Sequence, residues 1–181
     1  MDLATLALWC TILGLPVATV ATWLAWRSSS RGKKNIHRHR EVDVPRIIKS
    51  VMNGKVVDVP WETDLDVVHM WEQHNGVNQQ WFMRKVSNGN FSVISRLTGK
   101  CLEIEDHLAV DGARVRQANF AGTPNQQWIV TRLDGGKYRI HNRHSGKCLD
   151  VLGWNHENKA AIGQWQCHRG ANQAWCIEPP L

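Results

Sequence analysis

Apolar and polar positions divide the chain into three zones. Residues 3–26 are apolar or small and contain no charged side chain. Residues 27–45 are polar and basic, with no apolar period. From residue 46 onward, short apolar stretches alternate with turns rich in Gly, Asn, Asp and Ser, the pattern of short strands joined by tight connections. Lead-in strands are predicted over 46–48, 91–94 and 138–140, and a strand opening on Gly-Lys over 54–59, 98–104 and 145–151. A third set follows over 67–71, 115–119 and 162–166, and a fourth over 81–83, 128–130 and 175–177. About twelve short strands with no amphipathic helix make the domain all-β.

The same pattern also repeats. Asn78-Gln79-Gln80-Trp81 recurs as Asn125-Gln126-Gln127-Trp128 and as Asn172-Gln173-Ala174-Trp175, at 47-residue intervals (78, 125, 172). Gly54-Lys55-Val56-Val57-Asp58 is matched by Gly99-Lys100-Cys101-Leu102-Glu103 and Gly146-Lys147-Cys148-Leu149-Asp150, each with an acid three residues after the lysine. Self-similarity at a fixed period marks repeated supersecondary units. Three units of about 45 residues, four strands each, predict a closed barrel with threefold pseudo-symmetry, because closure removes exposed edges.

The first zone is long enough to cross a membrane. At about 1.5 Å per residue, an uncharged helix over residues 3–26 spans the ~30 Å hydrocarbon core. A cleaved signal peptide would carry a basic leading region, whereas the only charge before the apolar run is Asp2. The chain therefore divides into an N-terminal transmembrane anchor (1–26), a basic flexible linker (27–45) and a folded domain (46–181), a single-pass membrane protein. Arg27, Arg31, Lys33, Lys34, Arg38 and Arg40 follow the span, and no basic residue precedes it. The positive side tends to remain cytosolic, which places the domain in the cytosol, with the extracellular or lumenal side as the alternative. The same basic run suits anionic lipid headgroups.

Charge elsewhere is balanced. The net charge of +6 resides in that linker, since the 22 basic and 16 acidic residues leave sixteen against fifteen from Glu41 onward. A nucleic-acid partner would need basic residues clustered on the folded domain, and none is expected. No nucleophile elbow, phosphate loop, zinc helix or Cys-x-x-Cys is present, so neither enzyme activity nor a cofactor is expected.

Three Asn-Gln-x-Trp motifs, each preceded by a Gly-Lys-Cys-Leu-Asp-Val-like strand, resemble the ricin B-chain type β-trefoil lectins over residues 46–178. The resemblance implies a β-trefoil that binds carbohydrate, galactose-type or another glycan, in shallow, weak grooves. It assigns Asp150, Trp165 and Asn172 to the third repeat, with Gly163 where the family usually carries a polar residue. Trp154 and Asn155 lie in the loop between. In the first repeat it assigns Asp58, Trp71 and Asn78, with His69 at the polar position and a loop two residues shorter. The second repeat has Glu103, Arg116 and Ala118, and without a ring it is not expected to bind sugar.

The chemistry fits these assignments. A carboxylate accepts from neighbouring hydroxyls, an indole face packs on the C–H face of a pyranose, and an amide both donates and accepts. Gln79, Gln126 and Gln173 with the three motif tryptophans suit a structural role, and Asp58 and Asp150 can equally cap turns.

The resemblance also implies a Cys148–Cys167 disulfide. In a cytosolic domain that pair would be reduced and packed as small apolar groups, so a bridge would argue against the cytosolic placement. A metal cluster of His141, His144, Cys148, Cys167 and His168 is set aside, because the repeat position accounts for the cysteines. A protein-interaction scaffold that keeps the trefoil and has lost sugar binding is the alternative function.

Overall fold

A computed structural model describes residues 43–61 and 66–181. The predicted anchor and linker residues 27–42 lie outside the described residues, and within them no helix is long and apolar enough to cross a membrane. The twelve strands fall where the alternation places them. β1 (Ile47–Ser50), β2 (Val56–Asp58), β3 (His69–Trp71) and β4 (Trp81–Lys85) build the first repeat. β5 (Phe91–Ser95), β6 (Cys101–Ile104), β7 (Val115–Ala118) and β8 (Trp128–Arg132) build the second. The third comprises β9 (Tyr138–Asn142), β10 (Cys148–Val151), β11 (Ile162–Trp165) and β12 (Trp175–Glu178).

Six of these strands make a barrel, through the antiparallel pairs β4–β5, β5–β8, β8–β9, β9–β12 and β12–β1. A bridge between Arg46 and Trp81 closes the ring, with backbone hydrogen bonds of 2.8 and 2.9 Å. The same contact recurs between Phe91 and Trp128 and between Tyr138 and Trp175, so the closure obeys the threefold pattern of the sequence.

The hairpins β2–β3, β6–β7 and β10–β11 form a cap. They meet through bridges Val67–Arg116, Arg114–Gly163 and His69–Ala161. The N–H groups of Met70, Gln117 and Gln164 donate to the carbonyls of Ala160, Asp66 and Ala113 at 2.9, 2.7 and 2.9 Å. Barrel and cap together are a β-trefoil.

Trp81, Trp128 and Trp175 are 0%, 1% and 0% exposed and fill the core with Ile48, Val93 and Ile140. Each indole N–H donates to a carbonyl of its own repeat's second strand, that of Val57, Leu102 or Leu149, at 3.0, 3.0 and 3.2 Å. A buried indole thus brings a large apolar area to the core without stranding its donor.

The preceding Asn-Gln pair lies in a 3-10 turn each time: Val77–Gln79, Pro124–Gln126 and Ala171–Gln173. Gln79, Gln126 and Gln173 accept from the backbone N–H of His74, Ala121 and His168 at 2.8, 2.7 and 2.8 Å. Their amides donate back to the carbonyls of Glu72, Asn119 and Gln166 at 2.8, 2.9 and 3.0 Å. Glutamine and tryptophan of the motif therefore hold the fold.

Cys148 and Cys167 form a disulfide that ties the start of β10 to the segment after β11. Among the described residues Cys101 and Cys176 are unbridged. Burial, and then the charge of Glu103, push the Cys101 thiol up to about 12, so it stays protonated and unreactive. Alkylation of the native protein at neutral pH, mapped by mass spectrometry, is expected to spare Cys101, Cys148 and Cys167. Reductant should release the last two first.

Candidate functional site

The cap hairpins set an acid on one strand opposite a variable residue on the next. Asp58 faces His69, Glu103 faces Arg116 and Asp150 faces Gly163. Directly opposed side chains on an antiparallel pair interact, so this one position decides what becomes of each carboxylate.

In the first repeat His69 Nε2 lies 3.1 Å from Asp58 Oδ1, while Asn78 Nδ2 donates to Oδ2 at 2.9 Å. In the second, Arg116 Nε donates to Glu103 Oε1 at 3.0 Å and Gln126 donates to Oε2 at 2.8 Å. Arg116 also reaches Asp106, and its contact with Glu103 raises the guanidinium pKa further. Both oxygens of Asp58 and of Glu103 are thereby occupied.

The third repeat differs because Gly163 contributes no side chain. Asn172 Nδ2 and Gln173 Nε2 both donate to Asp150 Oδ2, at 2.9 and 2.8 Å. Oδ1 receives no hydrogen bond from the described residues and remains an open acceptor. Glycine here has a packing reason as well. A Cβ at residue 163 would lie 2.7 Å from the Ala113 carbonyl oxygen and 2.7 Å from Leu152 Cδ1. Gly163→Ala is therefore expected to destabilise the domain by about 1–3 kcal/mol through overpacking, measurable as a lower denaturation midpoint. The polar residue implied by the resemblance has no room at this place.

Aromatic walls complete the third-repeat groove. Trp165 and Trp154 are 45% and 52% exposed. Trp154 takes a left-handed backbone (φ 53°) in the turn Leu152–Trp154 and stacks on His168 at 6.1 Å between centroids and 14° between planes. Asp150, Gly153, Trp154, Trp165, His168 and Asn172 enclose about 220 Å³. In the first repeat a cleft of about 390 Å³ is bordered by Asp58, Trp61, His69, Trp71, His74 and Asn78, among others. There the His69 ring lies 5.5 Å from that of Trp71, tilted by 30°, so part of the indole is already covered.

Two histidines belong to these sites, neither expected there from the sequence, where His168 enters only as a metal ligand. His74 Nε2 lies 3.6 Å from Asp58 Oδ2, and His168 Nε2 lies 3.8 Å from Asp150 Oδ2. Their Nδ1 atoms accept the backbone N–H of Gly76 and Gly170 at 3.2 and 2.9 Å, which leaves Nε2 as the N–H facing the acid. The glycines are required by crowding. A Cβ at Gly170 would meet Asn172 Oδ1 at 2.6 Å, and one at Gly76 would meet Asn78 Oδ1 at 2.5 Å. The signal was present as His-x-Gly-x-Asn-Gln in repeats one and three, against Ala121-Gly122-Thr123-Pro124-Asn125-Gln126 in repeat two.

Asn78 and Asn172 are nearly buried, at 1% and 2% exposure, and each amide N–H holds its acid. Asn125 instead donates to the Ile104 carbonyl at 3.0 Å. All three Oδ1 atoms are buried without a hydrogen-bond partner. Burial is the main influence on Asp150 and raises its carboxyl above the ordinary range, against the lowering effects of Gln173, Asn172 and His168. Ligand atoms of His141, Cys148 and Cys167 lie within 4.8 Å of one another, but the disulfide occupies both sulfurs.

A hairpin-capped barrel with an acid beside a ring on two of its three cap hairpins is a lectin-like β-trefoil. The ricin-type β-trefoil lectin domain-like family matches the chain over residues 41–118, 78–165 and 124–180, and the chain belongs to that family. A designed threefold-symmetric protein, ThreeFoil, is 32% identical, with a TM-score of 0.71 over 74% of this chain and 97% of its own. The ricin B-like lectin of Macrolepiota procera, solved with lactose, is 25% identical, with a TM-score of 0.69 over 76% of this chain and 96% of its own. An exo-β-1,3-galactanase of Clostridium thermocellum is 28% identical with a TM-score of 0.74, but the match spans 77% of this chain and only 31% of the enzyme. No curated protein sequence matches the chain.

Proposed function

We propose that the chain is a carbohydrate-binding, non-catalytic module whose third repeat is its main sugar site. The observation that carries this reading is the open Oδ1 of Asp150 between the exposed rings of Trp165 and Trp154. Trp165 packs on the C–H face of a pyranose, Asp150 Oδ1 accepts from a hydroxyl, and His168 Nε2–H donates to its neighbour. Asn172 acts by holding Asp150. The first repeat is a second, wider site in which His69 shares the carboxylate, and the second repeat binds no sugar. One shallow groove of this kind binds at roughly millimolar Kd, and tethering copies to a surface gains avidity. A galactose-type ligand is favoured by the lactose in the Macrolepiota lectin. NMR titration with lactose is expected to shift the indole N–H signals of Trp165 and Trp154. Absence of any ligand-dependent shift at either cleft would leave an interaction scaffold as the better reading.

Binding should weaken on acidification, because a protonated carboxyl no longer offers the free acceptor. Burial raises the Asp150 pKa, so the loss should begin above the ordinary aspartate value of about 3.9. Lactose affinity measured from pH 7 down to pH 4 checks this. Stability contributed by this group runs the other way, being fully present in acid and lost as pH rises through the raised folded pKa.

Residues 3–26 anchor the module in a membrane in this reading. The basic flank favours a cytosolic domain, whereas the Cys148–Cys167 bridge and a glycan ligand both favour the oxidising, extracellular or lumenal side. We take the second placement. Protease added outside sealed cells should then digest an extracellular domain, whereas a lumenal one in sealed vesicles should be digested only after detergent opens them, and the reverse results would overturn the placement.

A further inference from the structure

Val67, His69 and Lys159 border two spaces at once. One is the first-repeat cleft, and the other is a cavity of about 530 Å³ where the three cap hairpins meet. Arg114, Arg116, Asp66 and Glu105 also line that cavity. Its charges are unevenly satisfied. Arg116 is paired with Glu103 and Asp106, Asp66 with Lys100, and Glu105 accepts the backbone N–H of Arg114 at 3.0 Å. The side chains of Arg114 and Lys159 make no ion pair with any described residue.

Lys159 is also held in an unfavourable backbone. Its φ is 67°, a left-handed conformation that glycine adopts freely and lysine does not. Two hydrogen bonds fix it there, from its own N–H to the Met70 carbonyl at 2.8 Å and from the Met70 N–H to the Ala160 carbonyl at 2.9 Å. The pseudo-symmetric position in the second repeat is Gly112, with φ 84° and the matching bond from its N–H to the Gln164 carbonyl at 2.8 Å. A lysine thus occupies a glycine position, strained and without a structural partner, at the junction of two cavities. The backbone bonds account for the turn but not for a lysine in it, and a residue kept in a strained conformation points to function.

We infer that the cap cavity is an anion subsite continuous with the first-repeat cleft, selecting a saccharide that bears a negatively charged substituent. The neutral ring packs at Trp71 and Asp58, and the anionic group reaches Lys159 and Arg114. This rests on the carbohydrate reading of the first repeat.

Lactose, 3′-sulfolactose and inorganic sulfate are the probes, titrated by NMR onto the full chain in a membrane mimic, with Trp71 and Trp165 read separately. The sulfated sugar should bind at Trp71 at least about tenfold more tightly than lactose at low salt. That gain should shrink at high ionic strength, where exposed charges are screened. Lys159→Gln and Arg114→Gln should each remove most of the gain and leave lactose affinity at Trp165 unchanged. Lys159→Gly should lose it too while the melting temperature stays level or rises, which separates a ligand role from a structural one. Equal affinity for the two sugars at Trp71, a gain that survives Lys159→Gln, or sulfate alone binding as tightly as sulfolactose would each overturn the subsite. Failure of lactose to bind at Trp165 as well would instead overturn the carbohydrate reading itself.

Discussion

Trp128→Ala is expected to destabilise the domain by about 3–5 kcal/mol, the usual range for emptying a core position of an aromatic. Total stabilities of about 5–15 kcal/mol make that a large share. The indole is 1% exposed and belongs to one core whose members come from all three repeats. Its removal also strands the Leu102 carbonyl, which accepts its N–H at 3.0 Å. Trp128 is the informative choice of the three, because Arg116 occupies the acid of its repeat and no ligand effect is expected there. Trp128→Phe should recover part of the loss, since it keeps a ring but gives up the volume of the second ring and the hydrogen bond, the latter worth about 1–3 kcal/mol when a buried partner is left unsatisfied. Denaturant unfolding followed by circular dichroism measures both variants. A change below about 1 kcal/mol in Trp128→Ala would show that the repeats do not share one core.

Asp150→Asn is expected to abolish sugar binding at the third repeat without unfolding the protein. The amide oxygen can take the place of Oδ2 and keep the bonds from Asn172 and Gln173, now at 2.9 and 2.8 Å. The amide nitrogen then falls at Oδ1, a donor where the ligand needs an acceptor. Loss of a hydrogen bond to a charged group is worth about 1.5–3 kcal/mol, at least tenfold in affinity. Trp165→Ala should do as much by removing the platform, and its ring is 45% exposed, so the fold should tolerate it. Titration with lactose, reading Trp71 as an internal control, checks both. Retained affinity at the third repeat in Asp150→Asn would sink the site assignment.

The fold was legible because every repeat states it twice, once in period-two alternation and once in the Asn-Gln-x-Trp motif. Trp81, Trp128 and Trp175 share a register, and so the barrel closes on Arg46, Phe91 and Tyr138 in the same way. The third-repeat cluster was legible only in part. Asp150, Trp165 and Asn172 do converge, yet the residue opposite an acid depends on hairpin register and loop length, which the sequence leaves open. The interval is 11 residues from Asp58 to His69 and 13 from Glu103 to Arg116 and from Asp150 to Gly163. For that reason Gly163 read as a missing polar group, whereas it exposes the carboxylate. His74 and His168 were visible as a longer motif, but their approach to the acids needs the 3-10 turn that follows. Burial of Asn172 was not visible at all, because a polar residue before a core tryptophan gives no sign of which way its amide turns.

The pairing of β1 with β12 has a practical side. Those two strands stand to each other as β4 does to β5 and β8 to β9, but where the other pairs have the turns Ser87–Gly89 and Asp134–Gly136, this one has the points where the chain enters and leaves the domain. The ends are thus neighbours on the rim of hairpin turns, while Asp58, Trp71, Asp150 and Trp165 are carried by the cap hairpins. A fluorescent protein or affinity handle fused to the C-terminus would sit on that rim and leave both clefts uncovered.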